Sequence, residues 1–554
     1  MAEMLPPSPG SEDLQEWQDP LVAKFGDNIL VQAAREPERV RQLLTEGHAV
    51  TANAMFAAIE CKALNTLRLF LSSGASPNLR SDAAGSTYVG VREGWASADF
   101  TPTFCTEKNE WYPLQHAAHV WTLHDEDRDR RVAMIGLLLN RGADIYALYR
   151  QPLRRPEPFP FPGEEETDQQ ELAPEEPESE DVHGVGADHE ASSPSTVPRT
   201  YGVRSVIHSI FEDGGCVQPI LDHAGTRLDL EHRDPQGCTL LLSVCRSALG
   251  ADAASDGVLE DVRWSTETGA YKRDPFPTSE ATPSLFHALR MRGADLNAVD
   301  RNRKHVLHHL LEAQDPVSKS WRPPMIRNSL QYGLTKLPHL INQPDRHGTY
   351  PLHSALQRWR RYPINNAFTK AAGLETVIDD LLAADADPLV RDGRGNTALH
   401  YLAEDRLAVQ LQGEQHRRLF RVFLGRGVDI NARNRSGRSA LEMLLDDNGE
   451  RAESLIRQNL LLSRNMPPLE DIEAEVFGMF DEAGVRWTEQ DSKGRTLLHI
   501  VAKHPTPNAA LRTKSLLAKG VDPKIADNDG KTALNVATES ANQPVLDLLD
   551  GKDM

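Results

Sequence analysis

One short phrase recurs along this 554-residue chain and constrains its fold more than any other feature. In its fullest form it reads Asp-x-x-Gly-x-Thr-x-Leu-His from Asp491, and a second copy begins 36 residues later. The Asp and the Gly suit a tight turn, because Asp can bond its own backbone and Gly tolerates a positive φ. Thr496 suits a helix start, and Leu497, Leu498 and Val501 give that helix an apolar stripe. A single unit cannot bury this stripe, so the phrase predicts neighbouring units.

The phrase also starts at upstream positions, with substitutions at some of them. Its starts lie at Asp234, Asp300, Asp345, Asp392, Asn434, Asp491 and Asp527. Arg303 replaces the Gly and His305 the Thr of the second start, Tyr350 replaces the Thr of the third, and Glu442 replaces the His of the fifth. These departures put the hydrogen bonding of those turns in question but not the stacking of the units.

Several segments between the starts end on a Gly or Ala followed by x-Asp, as in RGADLN at 292–297 and AKGVDP at 518–523. Together these motifs resemble the ankyrin-repeat family, whose units are about 33 residues long and carry T-P-L-H-x-A. The resemblance covers about 27–150 and 200–554, in a divergent array rich in insertions. It implies an all-α fold, a solenoid of helix–turn–helix units joined by short hairpin loops. Such a solenoid presents a concave face of loop tips and first helices to partners.

Composition and motif phase divide the chain into four parts. Residues 1–26, rich in Pro, Ser and acids, predict a disordered N-terminal tail. Residues 27–150 predict N-terminal ankyrin repeats, with a hairpin-like loop inserted at 85–110. A long disordered acidic insert at 151–199 then interrupts the array, and 200–554 form the main array. The sequence leaves open whether the repeats form one continuous array or two.

The acidic insert accounts for most of the net charge of −20. Its central part, 156–198, holds 13 Asp and Glu and no Lys or Arg. Such a segment buries too little apolar surface to offset the entropy of ordering it. The acidic balance also argues against direct nucleic-acid binding.

The chain has neither a membrane-spanning nor a secretory pattern. No apolar run approaches about 18 residues, and the N-terminus MAEMLPPSPGSEDLQEW has no basic start and no apolar core. The five cysteines, at 61, 105, 216, 238 and 245, form no CxxC pair. These features predict reduced thiols in an intracellular protein, cytoplasmic, nuclear or both. We expect it to be a monomer that does not contact membranes.

The sequence contains no catalytic signature, and we predict a protein that is not an enzyme and has no cofactor and no metal. HExxH, GxSxG and the phosphate-binding GxxxxGK[ST] are absent. The densest histidine cluster is His305, His308 and His309. His308 occupies the histidine position of the repeated phrase, and His308 and His309 point in different directions on a helix. We interpret all three as structural.

Loop tips are the predicted binding positions, since the fold exposes them without needing particular residues there. Aromatic tips are the strongest candidates, because aromatics dominate interface energetics. The basic group at Arg426, Arg433, Arg435 and Arg438 suits an acidic partner or the chain's own acidic insert. The predicted protein-binding residues are Tyr146, Tyr149, Arg301, Arg346, His347, Arg433, Arg435 and Trp487.

The favoured hypothesis for function is a non-catalytic scaffold or adaptor that binds one or more proteins on the concave face and the loop tips. One alternative is a regulatory subunit of an enzyme complex, with inserts that gate or deliver a substrate. Another is a transcriptional or chromatin regulator that uses the acidic insert.

Overall fold

The computed structural model of the chain describes residues 20–80, 111–119, 125–152, 201–212, 216–224, 228–246, 263–265, 270–272, 284–313, 327–361, 376–404, 414–446, 469–506 and 508–550. The inserted loop predicted at 85–110 lies outside these residues. So do nearly all of the acidic insert at 151–199 and most of the tail at 1–26. Those three assignments stay predictions.

Helices dominate the described residues, which agrees with the predicted all-α class. In chain order the helices are α1 (Pro20–Phe25), α2 (Ile29–Gln32), α3 (Pro37–Thr45), α4 (Ala52–Glu60), α5 (Leu64–Ser72), α6 (Pro113–His119), α7 (Asp125–Asn140), α8 (Val206–Glu212), α9 (Gln218–Ala224), α10 (Leu240–Arg246), α11 (Leu285–Met291), α12 (Val306–Glu312), α13 (Arg327–Lys336), α14 (Pro351–Arg361), α15 (Val377–Ala383), α16 (Ala398–Glu404), α17 (Glu414–Gly425), α18 (Ala440–Leu445), α19 (Leu469–Glu482), α20 (Leu497–Ala502), α21 (Ala509–Ala518), α22 (Ala533–Glu539) and α23 (Gln543–Leu549). Single 3₁₀ turns lie at Ala33–Arg35 and Pro338–Leu340. Two antiparallel strand pairs join β1 (Leu148–Pro152) to β2 (Tyr201–Ser205) and β3 (Arg263–Ser265) to β4 (Ala270–Lys272).

Many of these helices begin at a Thr, Ser or Asn placed just before an apolar run. The hydroxyl of Thr51 accepts a hydrogen bond from the N–H of Ala54 at the start of α4, at 3.2 Å. Asn28 caps α2 by accepting from the N–H of Leu30 at 2.9 Å. Each such cap satisfies a backbone donor that the first helical turn leaves unpaired. The helix starts therefore follow directly from residue type.

The described chain separates into two compact units. The first comprises the described residues of 20–80, 111–116, 143–152 and 201–206, and the second comprises those of 117–142 and 207–550. Helices α6 and α8 run across these limits along the chain. The division differs from the predicted one, which assigned all of 27–150 to the N-terminal repeats, because α7 packs against α9 and belongs to the second unit.

The first unit has a core of short helices that begins earlier than expected. Helix α1 falls inside the predicted tail 1–26 and buries Leu21 and Phe25 in one cluster with residues of α2 to α5. Two apolar side chains four residues apart give α1 its buried face, so the described helices start at Pro20. His116 lies in the same unit, 2.8 Å from the Glu60 carboxylate and with its ring against Phe56.

The ribbon of β1 and β2 closes the base of the segment that contains the acidic insert. Leu148 pairs with Ser205, and Pro152 pairs with Tyr201, so the described chain leaves this ribbon and returns to it at adjacent positions. The hydroxyl of Tyr112 donates a hydrogen bond to the carbonyl of Leu148 at 3.3 Å. The sequence did not predict this ribbon.

The second unit arranges its helices as pairs that follow one another. The first helices of the pairs contact each other in succession, in the order α10, α12, α14, α16, α18, α20 and α22. Within a pair the first helix contacts the second, as in α12 with α13, α16 with α17, α20 with α21 and α22 with α23. Small residues such as Ala398 and Ala440, both buried, allow the close approach of successive first helices.

None of the described helices is long and apolar enough to cross a lipid bilayer.

Leu399 tests the packing between successive first helices, because its side chain is fully buried on α16. We expect Leu399→Ala to lower the free energy of unfolding by roughly 2–5 kcal/mol, through lost transfer energy and a residual cavity. Urea unfolding followed by circular dichroism measures this change. The matched control is Leu389→Ala, whose side chain is 55% exposed and whose loss should cost less than about 0.5 kcal/mol. Equal effects of the two substitutions would contradict the packing described for α16.

Candidate interaction surface

Seven stretches of the described second unit form the same five-residue turn. Labelled A to G, the turns span 234–238, 300–304, 345–349, 392–396, 434–438, 491–495 and 527–531. In turn F, Oδ1 of Asp491 accepts hydrogen bonds from the N–H groups of Lys493 at 2.9 Å and Arg495 at 2.8 Å. The Asp491 N–H donates to the Arg495 carbonyl, and the Gly494 N–H donates to the Asp491 carbonyl, both at 2.9 Å.

The other six turns repeat these four contacts, with Asn434 in place of Asp in turn E. One side-chain oxygen therefore organises each turn. The roles predicted for the Asp and the Gly are confirmed.

Neighbouring turns are joined directly through their backbones. Four N–H groups donate to a carbonyl of the preceding turn: Arg301 to Gln236 at 3.3 Å, Arg346 to Asn302 at 2.7 Å, Arg435 to Arg394 at 2.8 Å, and Asn528 to Lys493 at 2.9 Å. Turns C and D approach so closely that a Cβ on Gly348 would lie 2.7 Å from the amide nitrogen of Gly393. Turns E and F also touch, since a Cβ on Gly437 would lie 3.2 Å from the Ser492 hydroxyl. Turns A to G thus form one connected series.

The fourth position of each turn requires a positive φ, which normally selects Gly. Gly395 has a φ of 77°, and a Cβ there would also lie 3.1 Å from the amide nitrogen of Arg435. Arg303 stands at this position in turn B and still adopts a φ of 61°. Its N–H donates to the Asp300 carbonyl at 3.0 Å, as in the other turns. The doubt that the sequence raised about this turn is therefore removed, although an L-residue pays about 1–2 kcal/mol for the left-handed conformation.

At α12, α16 and α20 the histidine of the repeated phrase joins the helix start to the following turn. At α16, Nδ1 of His400 accepts from the Thr397 N–H at 3.1 Å, and Nε2 lies 3.0 Å from the Arg438 carbonyl of the next turn. His499 repeats both contacts at 3.1 Å and 2.9 Å. Because Nδ1 accepts, Nε2 carries the proton and donates to the carbonyl. The imidazole is therefore neutral in this arrangement.

Burial keeps other histidines of this series uncharged. It lowers the pKa of His308 to about 4 and that of His353 to about 4. Burial, reinforced by the nearby His308, lowers the pKa of His305 to about 3. Nε2 of His308 lies 2.9 Å from the Thr349 carbonyl, so its role is structural, as predicted.

Glu442 replaces the histidine at α18 without loss of the helix cap. Its carboxylate accepts from the Ser439 N–H at 2.9 Å, while the Ser439 hydroxyl accepts from the Glu442 N–H at 3.2 Å. Arg433 donates to both Glu442 oxygens, at 2.8 and 3.0 Å, and to the Gly437 carbonyl at 2.6 Å. At α18 the Glu442 carboxylate, paired with Arg433, thus caps the helix start, as the His400 imidazole does at α16.

Four of the predicted binding residues lie exposed on the tips of the turns. Arg301 belongs to turn B, Arg346 and His347 to turn C, and Arg435 to turn E. The backbone N–H groups of Arg301, Arg346 and Arg435 bond to the preceding turn, and that of His347 bonds to Asp345. These bonds fix the backbone positions of all four residues. The structure brings these four onto one series of tips, as the sequence predicted.

The other four predicted residues do not lie on free tips. Trp487 is buried, stacks on Phe477 and donates its indole N–H to Asp481 at 3.0 Å. Tyr149 is buried in β1, and Tyr146 is half-buried in the first unit. Arg433 forms an ion pair with Glu442 at 2.8 Å. These residues were predicted from their positions in the repeated phrase. Such positions do not show whether an aromatic side chain packs against neighbouring residues instead of facing solvent.

The exposed tips of turns B to F carry basic side chains. Positions two to five of these turns contain nine Lys and Arg and no Asp or Glu. Six of the nine form what we call the basic ridge: Arg301, Arg303, Arg346, Arg394, Arg435 and Lys493. Within the described chain these six exposed side chains make no ion pair. Asp300, Asp345, Asp392 and Asp491 point into the turns, so the charge that faces solvent is positive.

A group of potential metal ligands lies beside turns A and B. The donor atoms of Cys238, Asp300 and His309 lie within 4.8 Å of one another. Burial raises the pKa of the Cys238 thiol to about 12, against the opposing effect of Arg246. Sequence reasoning considered His309 only with its histidine neighbours.

No protein-family model matches this chain. What the site can do therefore has to be argued from the turns, the basic ridge and the residues beside them.

The buried histidines predict a pH dependence of stability. Their pKa values in the folded state lie below the value of about 6.5 expected in the unfolded chain. Between pH 6.5 and about 4 the unfolded chain binds protons that the folded chain does not, so stability falls as the pH falls. Each histidine contributes up to about 1.4 kcal/mol per pH unit in this window. Urea unfolding at pH 7.5, 6.5 and 5.5 measures the slope.

His308→Gln should reduce this slope, because the Gln amide can donate to the Thr349 carbonyl but does not titrate. The matched control, Leu389→Ala, changes an exposed side chain that does not titrate and should leave the slope unchanged. A wild-type protein equally stable at pH 7.5 and pH 5.5 would refute the prediction.

The close approach of turns C and D predicts opposite effects for two Gly→Ala substitutions. A Cβ on Gly393 would overlap the backbone carbonyl of His347, so Gly393→Ala should destabilise the protein by about 1–3 kcal/mol. Gly478 lies within α19 with no atom within 4 Å of an added Cβ, so Gly478→Ala should stabilise by up to about 1 kcal/mol. The midpoints of urea unfolding compare them. Substitutions that shift the midpoint in the same direction would contradict the described contact between the turns.

Proposed function

We propose that this protein is a non-catalytic scaffold of the ankyrin-repeat type that binds an acidic segment of a partner protein along the basic ridge. The observation that carries the proposal is the series of connected turns whose exposed basic tips make no ion pair with any residue that the structure describes.

The ankyrin assignment is supported by the order of the elements in the second unit. A five-residue turn precedes a first helix, which begins at a Thr, Ser or other capping position and pairs with a second helix. The ankyrin unit has the same plan of a β-turn and two helices. A solenoid built from such units exposes its loop tips, which suits binding to extended partners.

The backbone of the ridge is held in place before any partner arrives. Asp345 fixes its turn through two backbone N–H groups at 2.8 Å each, and Arg346 is joined to turn B through its own N–H. Ordering of loops is one of the free-energy costs of association. Because these turns are already ordered, only the arginine side chains remain to be fixed on binding.

The chemistry of the ridge favours carboxylates. Five of its six members are arginines, whose planar guanidinium groups bind carboxylates in a bidentate manner. Clustered positive charge also accelerates the encounter with an acidic partner. A partner segment rich in Asp and Glu, running across turns B to F, satisfies both features.

A nucleic acid is the less favoured polyanion. The net charge of −20 opposes every polyanion away from the ridge, so the discrimination depends on contacts with the bases. Single strands bind through aromatic rings on which bases stack. Trp487, the tip aromatic predicted nearest the ridge along the sequence, is buried against Phe477.

We also propose that the protein acts inside the cell, in the cytoplasm, the nucleus or both. The described cysteines, Cys61, Cys216, Cys238 and Cys245, form no disulfide bond with one another, and three of them are buried. Reduced thiols suit a reducing compartment.

The experiment measures binding of a fluorescein-labelled oligo-glutamate peptide by anisotropy at several salt concentrations. Substituting Arg301, Arg346, Arg394 and Arg435 together by Gln should weaken binding at least tenfold and flatten its salt dependence. The matched control substitutes four exposed arginines elsewhere, Arg39, Arg41, Arg68 and Arg141, by Gln and removes the same charge. We expect the control to bind like the wild type to within about threefold.

Two results would contradict the proposal. One is an equal loss in both variants, which would indicate dependence on net charge alone. The other is a single-stranded oligonucleotide of matched charge that binds the ridge more tightly than the peptide does.

A further inference from the structure

Beside the first two turns, three different metal-ligating side chains converge from separate parts of the chain. Cys238 ends turn A, Asp300 opens turn B, and His309 lies on α12. Nε2 of His309 is 3.4 Å from Oδ2 of Asp300, and the donor atoms of all three lie within 4.8 Å of one another. Two tetrahedral ligands on a zinc ion stand about 3–4 Å apart at bond lengths of about 2.0–2.3 Å. The spacing is therefore close to that of a shared ion.

The burial of His309 supplies a second observation. Its side chain is only 4% exposed, and its Nε2 atom contacts the Asp300 carboxylate at 3.4 Å. That distance exceeds the usual range, about 2.7–3.2 Å, of an N–H···O hydrogen bond, so the contact satisfies a buried ring nitrogen only weakly. Nε2 faces Asp300 at a distance typical of two ligands on one metal ion.

Beside turns C to E, the residues equivalent to Cys238, Asp300 and His309 include no thiol and no imidazole, and they make ordinary hydrogen bonds. Where turn D follows turn C, the residue nine positions after Asp392 is Tyr401, whose hydroxyl donates to Oδ2 of Asp392 at 2.7 Å. Where turn E follows turn D, Asn434 donates to Asn396 at 2.9 Å and lies 3.8 Å from the Met443 sulfur. Ordinary hydrogen bonding thus completes these places. Of the turn pairs in the described chain, only A and B bring a thiol, a carboxylate and an imidazole together.

The local charge balance also favours a cation. The carboxylates of Asp234, Glu212 and Asp300 all act electrostatically on Cys238, and each is at most 10% exposed. Among the described residues the cation that faces them is Arg246, which pairs with Glu212 at 2.7 Å and lies 4.0 Å from Asp234 and from the Cys238 sulfur. Three negative charges against one positive charge leave an excess that a divalent ion would neutralise. Buried charges require such compensation.

We propose that Cys238, Asp300 and His309 bind a Zn²⁺ ion. Sulfur, nitrogen and oxygen donors together suit zinc, which accepts all three, better than the oxygen-seeking Mg²⁺ or Ca²⁺. When the Zn–S bond forms, the thiol releases its proton to solvent, and the neutral imidazole coordinates through the Nε2 lone pair. The fourth position takes a water molecule or a neighbouring carboxylate.

The ion would have a structural role in this position. Cys238 and Asp300 belong to successive turns, which the backbone bond from Arg301 to Gln236 also joins. A metal ion bound by both residues would stabilise the contact between turns A and B. Binding to the folded state alone stabilises that state in proportion to the logarithm of the free metal concentration.

The test uses the untagged full-length chain after removal of metal with a chelator. Titration with CoCl₂ should give one equivalent of tight binding and a thiolate-to-cobalt charge-transfer band in the near ultraviolet. ZnCl₂ should displace the cobalt and raise the melting temperature. Cys238→Ser should abolish the charge-transfer band, and His309→Gln should weaken binding at least tenfold.

Matched controls separate this site from nonspecific metal binding. Cys61→Ser changes a cysteine of the first unit and His339→Gln an exposed histidine, and both should bind cobalt like the wild type. The proposal is overturned if no charge-transfer band appears, or if Cys238→Ser retains it. It is also overturned if cobalt bound to the wild type survives in the double variant of Cys238 and His309, since the ion would then lie elsewhere.

Discussion

The second unit depends on one interaction, the acceptance of two backbone hydrogen bonds by a single side-chain oxygen in each turn. Once Asp392 has bonded the N–H groups of Arg394 and Asn396, the turn has a fixed shape and presents its remaining groups in fixed directions. Backbone bonds can then run from turn to turn, and the histidines at the starts of α12, α16 and α20 can reach a carbonyl of the next turn. The stacking of apolar helices supplies the bulk of the stability, but the turns set the register in which those helices meet.

Much of this could be predicted because it is local. An Asp followed three residues later by Gly specifies the turn, and a Thr or Ser before an apolar run specifies the helix start. The substitutions at Arg303 and Glu442 were harder to interpret. Arg303 accepts an unfavourable φ because the Asp300 bonds hold the turn around it. Glu442 works only with Arg433, which lies nine residues earlier and which no motif connects to it.

Side-chain exposure was predicted less well than backbone shape. Trp487 and Tyr149 were assigned to tips from their phase in the repeat, yet both bury their rings. Some arginines of the basic ridge were identified from the sequence. That they form one basic surface depends on the fold, which brings neighbouring turns together. The convergence of Cys238, Asp300 and His309 lies further still from sequence reasoning, since 62 residues separate the thiol from the carboxylate. Tertiary structure, not local propensity, decides such clusters.

The ribbon of β1 and β2 has a consequence for how the chain can change over time. Pro152 and Tyr201 are direct partners in this ribbon, so the chain between them starts and finishes at one place on the first unit. A change in the length or charge of the acidic segment therefore leaves the pairing of its two flanking ends in place, and the ribbon allows that segment to change under selection of its own.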